Sequence, residues 1–224
     1  MKIYNPYFQS VFDFSTVKVQ TVIIEGPHAF STVIGDIASQ IEGNSGETVL
    51  SEDDEPIEMN KYAEILDRFY SFDINRKSLL SKISDSLLKR ASDEEHFLKS
   101  RTLLSEITAY LENLAFDELA DVYFTGITEA SLLKASGMML YDDYDNLTDK
   151  LLDYMLLVRE YERDKLFITV NLGCYLTVNE VNELSDSVRK HGLHLLMIES
   201  NNHELDDIVK SSPILTVDDD YCIF

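Results

Sequence analysis

Near the start, "VKVQTVIIEG" (17–26) alternates apolar and polar residues and then runs apolar, the pattern of a half-buried strand becoming a buried one. The following "STVIGDIASQIE" (31–42) repeats Val33, Ile34, Ile37, Ala38 and Ile41 at helical spacing, and Gly43 is placed as its stop. "ETVLSEDDEPIEMN" (47–60) starts as a short strand and turns into an acidic stretch broken by Pro56, which reads as strand, surface loop and domain crossing. From Lys61 to about Gly137 the apolar spacing changes to threes and fours. Leu79, Leu80, Ile83, Leu87 and Leu88 form one such series, and Leu98, Leu103, Leu104, Ile107 and Leu111 another, with no glycine or proline in either. The middle of the chain is therefore expected to be helical throughout.

Alternation of strand and helix returns afterwards. A helix is expected at about 146–162, carrying Leu147, Leu151, Met155 and Val158, then "KLFITVNLG" (165–173) as a central strand. Thr177 with Glu180 three residues on forms a capping box; Val181, Leu184 and Val188 supply a buried stripe, and Gly192 ends the helix. "LHLLMIES" (193–200) is the next buried strand, followed by a short helix near 204–210 and an edge strand within "PILTVDDDYCIF". The reading is an α/β head built from both chain ends (1–60 and 138–224) with an inserted all-helical arm (61–137).

Charge narrows the function. Nineteen basic against 41 acidic residues among 224 give a net charge of −22, a field that repels nucleic acid and anionic membrane unless bases are gathered on one surface. The clearly basic segment runs from Arg76 to Arg101, and a solvated helix face is its simplest reading. No segment approaches 18 uninterrupted apolar residues and the N-terminus lacks a secretory pattern, so a cytoplasmic protein with no membrane partner is expected. Cys174 and Cys222 lie in apolar stretches and are expected to be buried, reduced thiols.

Chemistry is sparse. The segment "EGPHAFST" (25–32) follows a strand where a phosphate loop would sit, but Pro27 removes an amide and no lysine lies between Lys18 and Lys61. No G-x-S-x-G elbow or H-E-x-x-H helix occurs, His191 and His194 straddle a turn, and "DDYDN" (142–146) is followed by Leu147 where a calcium loop needs oxygen. In "FDELADVYFTG" (116–126), Asp117, Glu118 and Asp121 would share a helix face while Phe116 and Leu119 turn inward. Such like charges repel, which suits either a solvated face or a hard cation; spacing alone favours the solvated face.

Several runs together carry a resemblance: "ITEASLLKASGM" (127–138), a helix with Lys150, "DKLFITVNLGCYLTVNEVNEL" (164–184) and "LLMIES" (195–200). They resemble the CRISPR-associated Csn2 family, most distinctively at Thr169, Val170, Asn171, Gly173, Tyr175, Leu176, Thr177, Glu180 and Val181. The resemblance implies a degenerate P-loop-NTPase-like head that uses no nucleotide. It also implies a noncatalytic, calcium-dependent homotetrameric ring that binds ends of double-stranded DNA in spacer acquisition, beside integrase proteins and an RNA-guided nuclease. It points to Asp117, Glu118, Asp121 and Glu129 for Ca²⁺, and to Lys134, Lys150 and, less strongly, Lys18 for DNA. Tyr123, Thr125 and Gly126 stand where relatives carry further acids, implying fewer or weaker calcium sites. Two other functions compete with this one: a metal-dependent phosphoesterase built on Asp117, Glu118 and Asp121, and an acidic protein-interaction module that never touches DNA.

Overall fold

The computed structural model describes residues 1–69, 71–201, 214–218 and 222. The helix expected near 204–210 lies outside them. The chain divides into two compact units, one formed by Met1–Phe72 with Asp143–Phe224 and the other by Asp73–Asp142.

The first unit opens with a small antiparallel sheet. Strands β1 (Lys2–Tyr4), β2 (Val11–Asp13), β4 (Val49–Glu52) and β5 (Glu55–Pro56) take the order β2-β1-β4-β5. The β4–β5 hairpin turns through Asp53 and Asp54, whose φ of 50° and 64° are both left-handed, as a two-residue primed turn requires. The stretch 47–60, read as a short strand followed by a surface loop and domain crossing, thus holds that strand as β4, a hairpin partner in place of the loop, and the start of the short helix α2 (Met59–Tyr62).

The larger sheet is wholly parallel. Strands β3 (Val19–Ile24), β6 (Ala63–Leu66), β7 (Leu166–Val170), β8 (His194–Glu199) and β9 (Ile214–Val217) lie in the order β6-β7-β8-β3-β9. All residues of β3 and β8 are buried, the mark of a parallel strand covered on both faces. Helix α1 (Pro27–Ile41) buries Ala29, Val33 and Ile37 in one core with Ile3 and Leu50 of the small sheet and Val22 and Ile198 of the large one. Helices α6 (Leu147–Tyr161) and α7 (Val178–Lys190) pack on each other, and α7 also packs on β3 and β8.

Local signals explain the ends of these helices. Asn146 caps α6 by accepting the Asp149 N–H at 2.8 Å. The Thr177–Glu180 capping box forms as the spacing predicts. Gly192 adopts φ +67°, and the Gly192 and Leu193 N–H groups bond Arg189 and Val188 carbonyls, a Schellman closure that a side chain at Gly192 would strain.

Two expectations are corrected here. The segment from Ala63 to Leu66 is a strand of the parallel sheet and not the start of the arm, so the second unit begins at Asp73 and not at 61. Tyr62, Ile65, Leu66 and Phe69 happen to be spaced three, one and three apart, which mimics a helix face. The loop "EGPHAFST" is also not a loop: β3 ends at Ile24 and α1 starts at Pro27, with Gly26 as N-cap. Only Glu25 and Gly26 separate strand from helix, too short a connection to wrap a phosphate group.

The second unit contains α3 (Lys77–Ala91), α4 (Phe97–Ala115) and α5 (Glu129–Ala135). Its two ends are tied by Asn75, whose side-chain amide donates to the Leu140 carbonyl at 3.1 Å and whose oxygen accepts the Leu140 N–H at 2.6 Å.

Candidate DNA and cation sites

Helix α4 stops at Ala115, so Asp117, Glu118 and Asp121 lie in irregular backbone, all exposed. Phe116 is 85% and Leu119 107% exposed, correcting the expectation that they turn inward: with no helix, no buried face exists for them. Glu129 sits in the first turn of α5, which is closed by a Thr128–Ser131 capping box. It lines a cavity of about 290 Å³ in company with Arg90, His96, Leu104 and Leu132, basic and apolar residues rather than other acids. No group of three or more His, Cys, Asp or Glu among the described residues could hold a metal ion. The four acids therefore do not make a cation site as they stand in one chain.

The three lysines have distinct surroundings. Lys134 is exposed in the last turn of α5. Lys150 on α6 is half-buried, its ammonium 5.4 Å from the centroid of the Phe72 ring. Lys18 precedes β3, and its Nζ lies 2.9 Å from His194 Nε2 at the start of β8. His194 Nδ1 faces Asp164 Oδ2 at 3.5 Å. Burial pushes the His194 pKa down; Asp164 pulls it back up, while Lys18, the N-terminal amine and Arg159 add to the fall. Neutral His194 accepting from Lys18 Nζ holds this amine against the protein, which makes Lys18 the least available of the three.

The family-like run at 169–181 turns out to build one compact device at the carboxyl edge of the parallel sheet. Asn171 is left-handed at φ 53° and starts a 3-10 turn, Leu172–Cys174. Its N–H donates to the Ile198 carbonyl at 2.9 Å, and its Oδ1 accepts the Ser200 N–H at 2.8 Å. The turn aims the Gly173 N–H at both Glu199 oxygens, each at 3.3 Å, and the Leu172 N–H also reaches that carboxyl. Glu199 is 1% exposed, and burial pushes its pKa up to about 7, the two amides working against the rise. Sequence reasoning missed this residue; its signal was an acid closing an otherwise apolar buried run. Tyr175, beyond the turn, packs its ring 4.9 Å from that of Phe69. Cys174 and Cys222 are both exposed, not buried as expected, because Cys174 rides on the outside of this turn and Cys222 follows the last strand.

A family model described as CRISPR-associated protein Csn2 matches residues 40–221. The chain belongs to the CRISPR-associated Csn2 family. CRISPR-associated protein Csn2 of Enterococcus faecalis is 24% identical over 132 residues, a segment covering 57% of this chain and 59% of that relative. The match thus spans about three-fifths of the curated relative's length. The crystal structure of Stu0660 of Streptococcus thermophilus is similar in fold, with a TM-score of 0.58 at 10% identity, covering 100% of this chain and 76% of that one. The Csn2 model includes the 169–181 run, so the Asn171 turn and its Glu199 partner lie inside the family-matching part of the chain. No helix among the described residues is long and apolar enough to cross a membrane.

Proposed function

We propose that this Csn2-family chain is a noncatalytic protein that binds ends of double-stranded DNA during acquisition of CRISPR spacers, working as a homotetrameric ring with integrase proteins and an RNA-guided nuclease. The observation that carries the reading is the family match over residues 40–221. A P-loop-like ancestry of the head is part of the proposal, supported by a parallel sheet whose interior strand β3 leads into α1 where a phosphate loop would stand. A two-residue connection and the missing lysine speak for a binding role in place of nucleotide chemistry.

Electrostatics make a ring physically reasonable. A chain of net charge −22 attracts DNA only where its few cations are collected on one face and its acids lie elsewhere, which closing several chains around a duplex achieves. Lys134 and Lys150 are the DNA-facing cations of this proposal, with Lys18 secondary because His194 engages it. Calcium would enter through Asp117, Glu118, Asp121 and Glu129; since these do not gather within one chain, no step is routed through the ion. Among the described residues the same dispersal gives the phosphoesterase alternative no ligand group at Asp117, Glu118 and Asp121.

Light scattering in Ca²⁺ and in EDTA tests the assembly. A mass of four chains in Ca²⁺ that falls on chelation is the expected result, whereas a monomer under both conditions overturns the ring.

A further inference from the structure

Helix α3, "KSLLSKISDSLLKRA", is an anomaly in this acidic chain, with four basic residues and one acid. Leu79 and Ile83 are buried, and Leu87 lines the cavity shared with Leu103 and Leu104 of α4 and Leu132 of α5. At 3.6 residues per turn, Ser78, Ser81, Lys82, Asp85 and Lys89 fall within an arc of about 100° on the opposite side. All five are exposed.

Neither the Lys82 nor the Lys89 side chain has an ion pair or hydrogen bond to any described residue. Lys2, Lys61 and Lys165, by contrast, are each paired with a carboxylate. Asp85 is the one acid in this helix. Lys82 and Lys89 stand two turns apart, about 10 Å along the axis, close to three base-pair steps of a duplex strand. Asp85 stands between them, while Ser78 and Ser81 precede Lys82 on the same face with short side chains whose hydroxyls donate to phosphate oxygens as lysines do. An acidic segment of a second copy would satisfy the same lysines and serines, and the DNA-binding reading of the chain is what selects the duplex between the two.

We propose that this face of α3, formed by Ser78, Ser81, Lys82 and Lys89, is a contact for the phosphate backbone of double-stranded DNA. The proposal rests on the DNA-binding reading and adds a surface that reading does not contain. Asp85, between the lysines, weakens the contact.

The test is a salt series of affinity for a fluorescently labelled linear duplex, using the full chain. In Lys82→Gln with Lys89→Gln, the dependence of log affinity on log salt is expected to become shallower by about 2, with binding about ten-fold weaker at 0.1 M salt. Asp85→Asn, which removes repulsion without touching a contact, is expected to tighten binding about three-fold. Lys190→Gln, another exposed lysine without an ion pair, serves as the control and is expected to bind as the wild type does. Unchanged slope and affinity in the double variant overturn the α3 contact while leaving the DNA reading intact. Unchanged DNA affinity with an altered mass in light scattering overturns it in favour of a contact between copies. An equal loss in Lys190→Gln also overturns it, since the effect would then be one of net charge. Failure of the wild type to bind duplex overturns the DNA reading and this contact together.

Discussion

Replacing Glu199 by glutamine is expected to remove a loss of thermal stability that accompanies a rise in pH from about 4.5 to 8. Glu199 is 1% exposed, and its pKa in the folded protein is raised from 4.5 to about 7, burial being the dominant cause. Between those values the folded chain keeps a proton that the unfolded chain has lost. Its stabilising contribution is therefore complete below the unfolded value and is lost as pH climbs through the folded one. The full difference is about 3 kcal/mol, since each tenfold change in proton affinity is worth roughly 1.4 kcal/mol. Glutamine cannot ionise, and its carbonyl oxygen still accepts from the Gly173 and Leu172 amides, so the variant gains on the wild type above pH 7. His194 acts in the opposite direction. Burial lowers its pKa, so it opposes folding as pH falls below the ordinary histidine value, and His194→Gln is expected to change the slope with the opposite sign. Thermal melts from pH 4.5 to 8 of wild type, Glu199→Gln and His194→Gln measure both. Parallel curves for wild type and Glu199→Gln would contradict the buried, protonated Glu199.

Lys165→Met is expected to destabilise the protein by about 3 to 5 kcal/mol, a fall of roughly 10 °C in melting temperature. Lys165 precedes β7, and its Nζ bridges Glu64 of β6 at 3.0 Å and Glu162 at the end of α6 at 2.9 Å. The three side chains are only 11%, 13% and 15% exposed, so the charges depend on one another rather than on water. Tyr154 Oη also donates to Glu64, which ties the body of α6 to the same point. Removing the ammonium leaves two carboxylates poorly solvated and facing each other, a cost much greater than the net worth of the intact network. Glu64→Gln added to Lys165→Met is expected to recover part of the loss, because it removes one of the stranded charges; the double-mutant cycle measures that coupling. A neutral Lys165→Met would mean the network is solvated. Since Glu64 and Lys165 fasten β6 and β7 to α6, this cluster stabilises the sheet edge.

Periodicity and capping chemistry reveal the parallel sheet well. The buried runs of β3, β7 and β8 and the Thr177 capping box are local signals, and each side chain involved obeys them. β6 was hidden because Tyr62, Ile65, Leu66 and Phe69 imitate helical spacing, and a four-residue strand is too short for period two to register. Phe116 and Leu119 misled for a related reason: apolar residues imply a buried face only if a helix continues, and α4 ends at Ala115. The site was less legible. Asp117, Glu118 and Asp121 are close in sequence yet form no ligand group, whereas Glu199 and Gly173 meet only because β7 and β8 are neighbours in the sheet. The isolation of Lys82 and Lys89 was equally invisible, because whether a lysine finds a carboxylate is decided by the fold.

The central claim is that the chain binds duplex ends without cutting them. Binding of one duplex sequence, as a linear fragment and as a covalently closed circle, tests it most directly, with Mg²⁺ and Ca²⁺ present and the DNA recovered afterwards. The account predicts retention of the linear form, little retention of the closed circle, and intact DNA from both. Equal affinity for the two forms, no affinity for either, or cleaved product would contradict it.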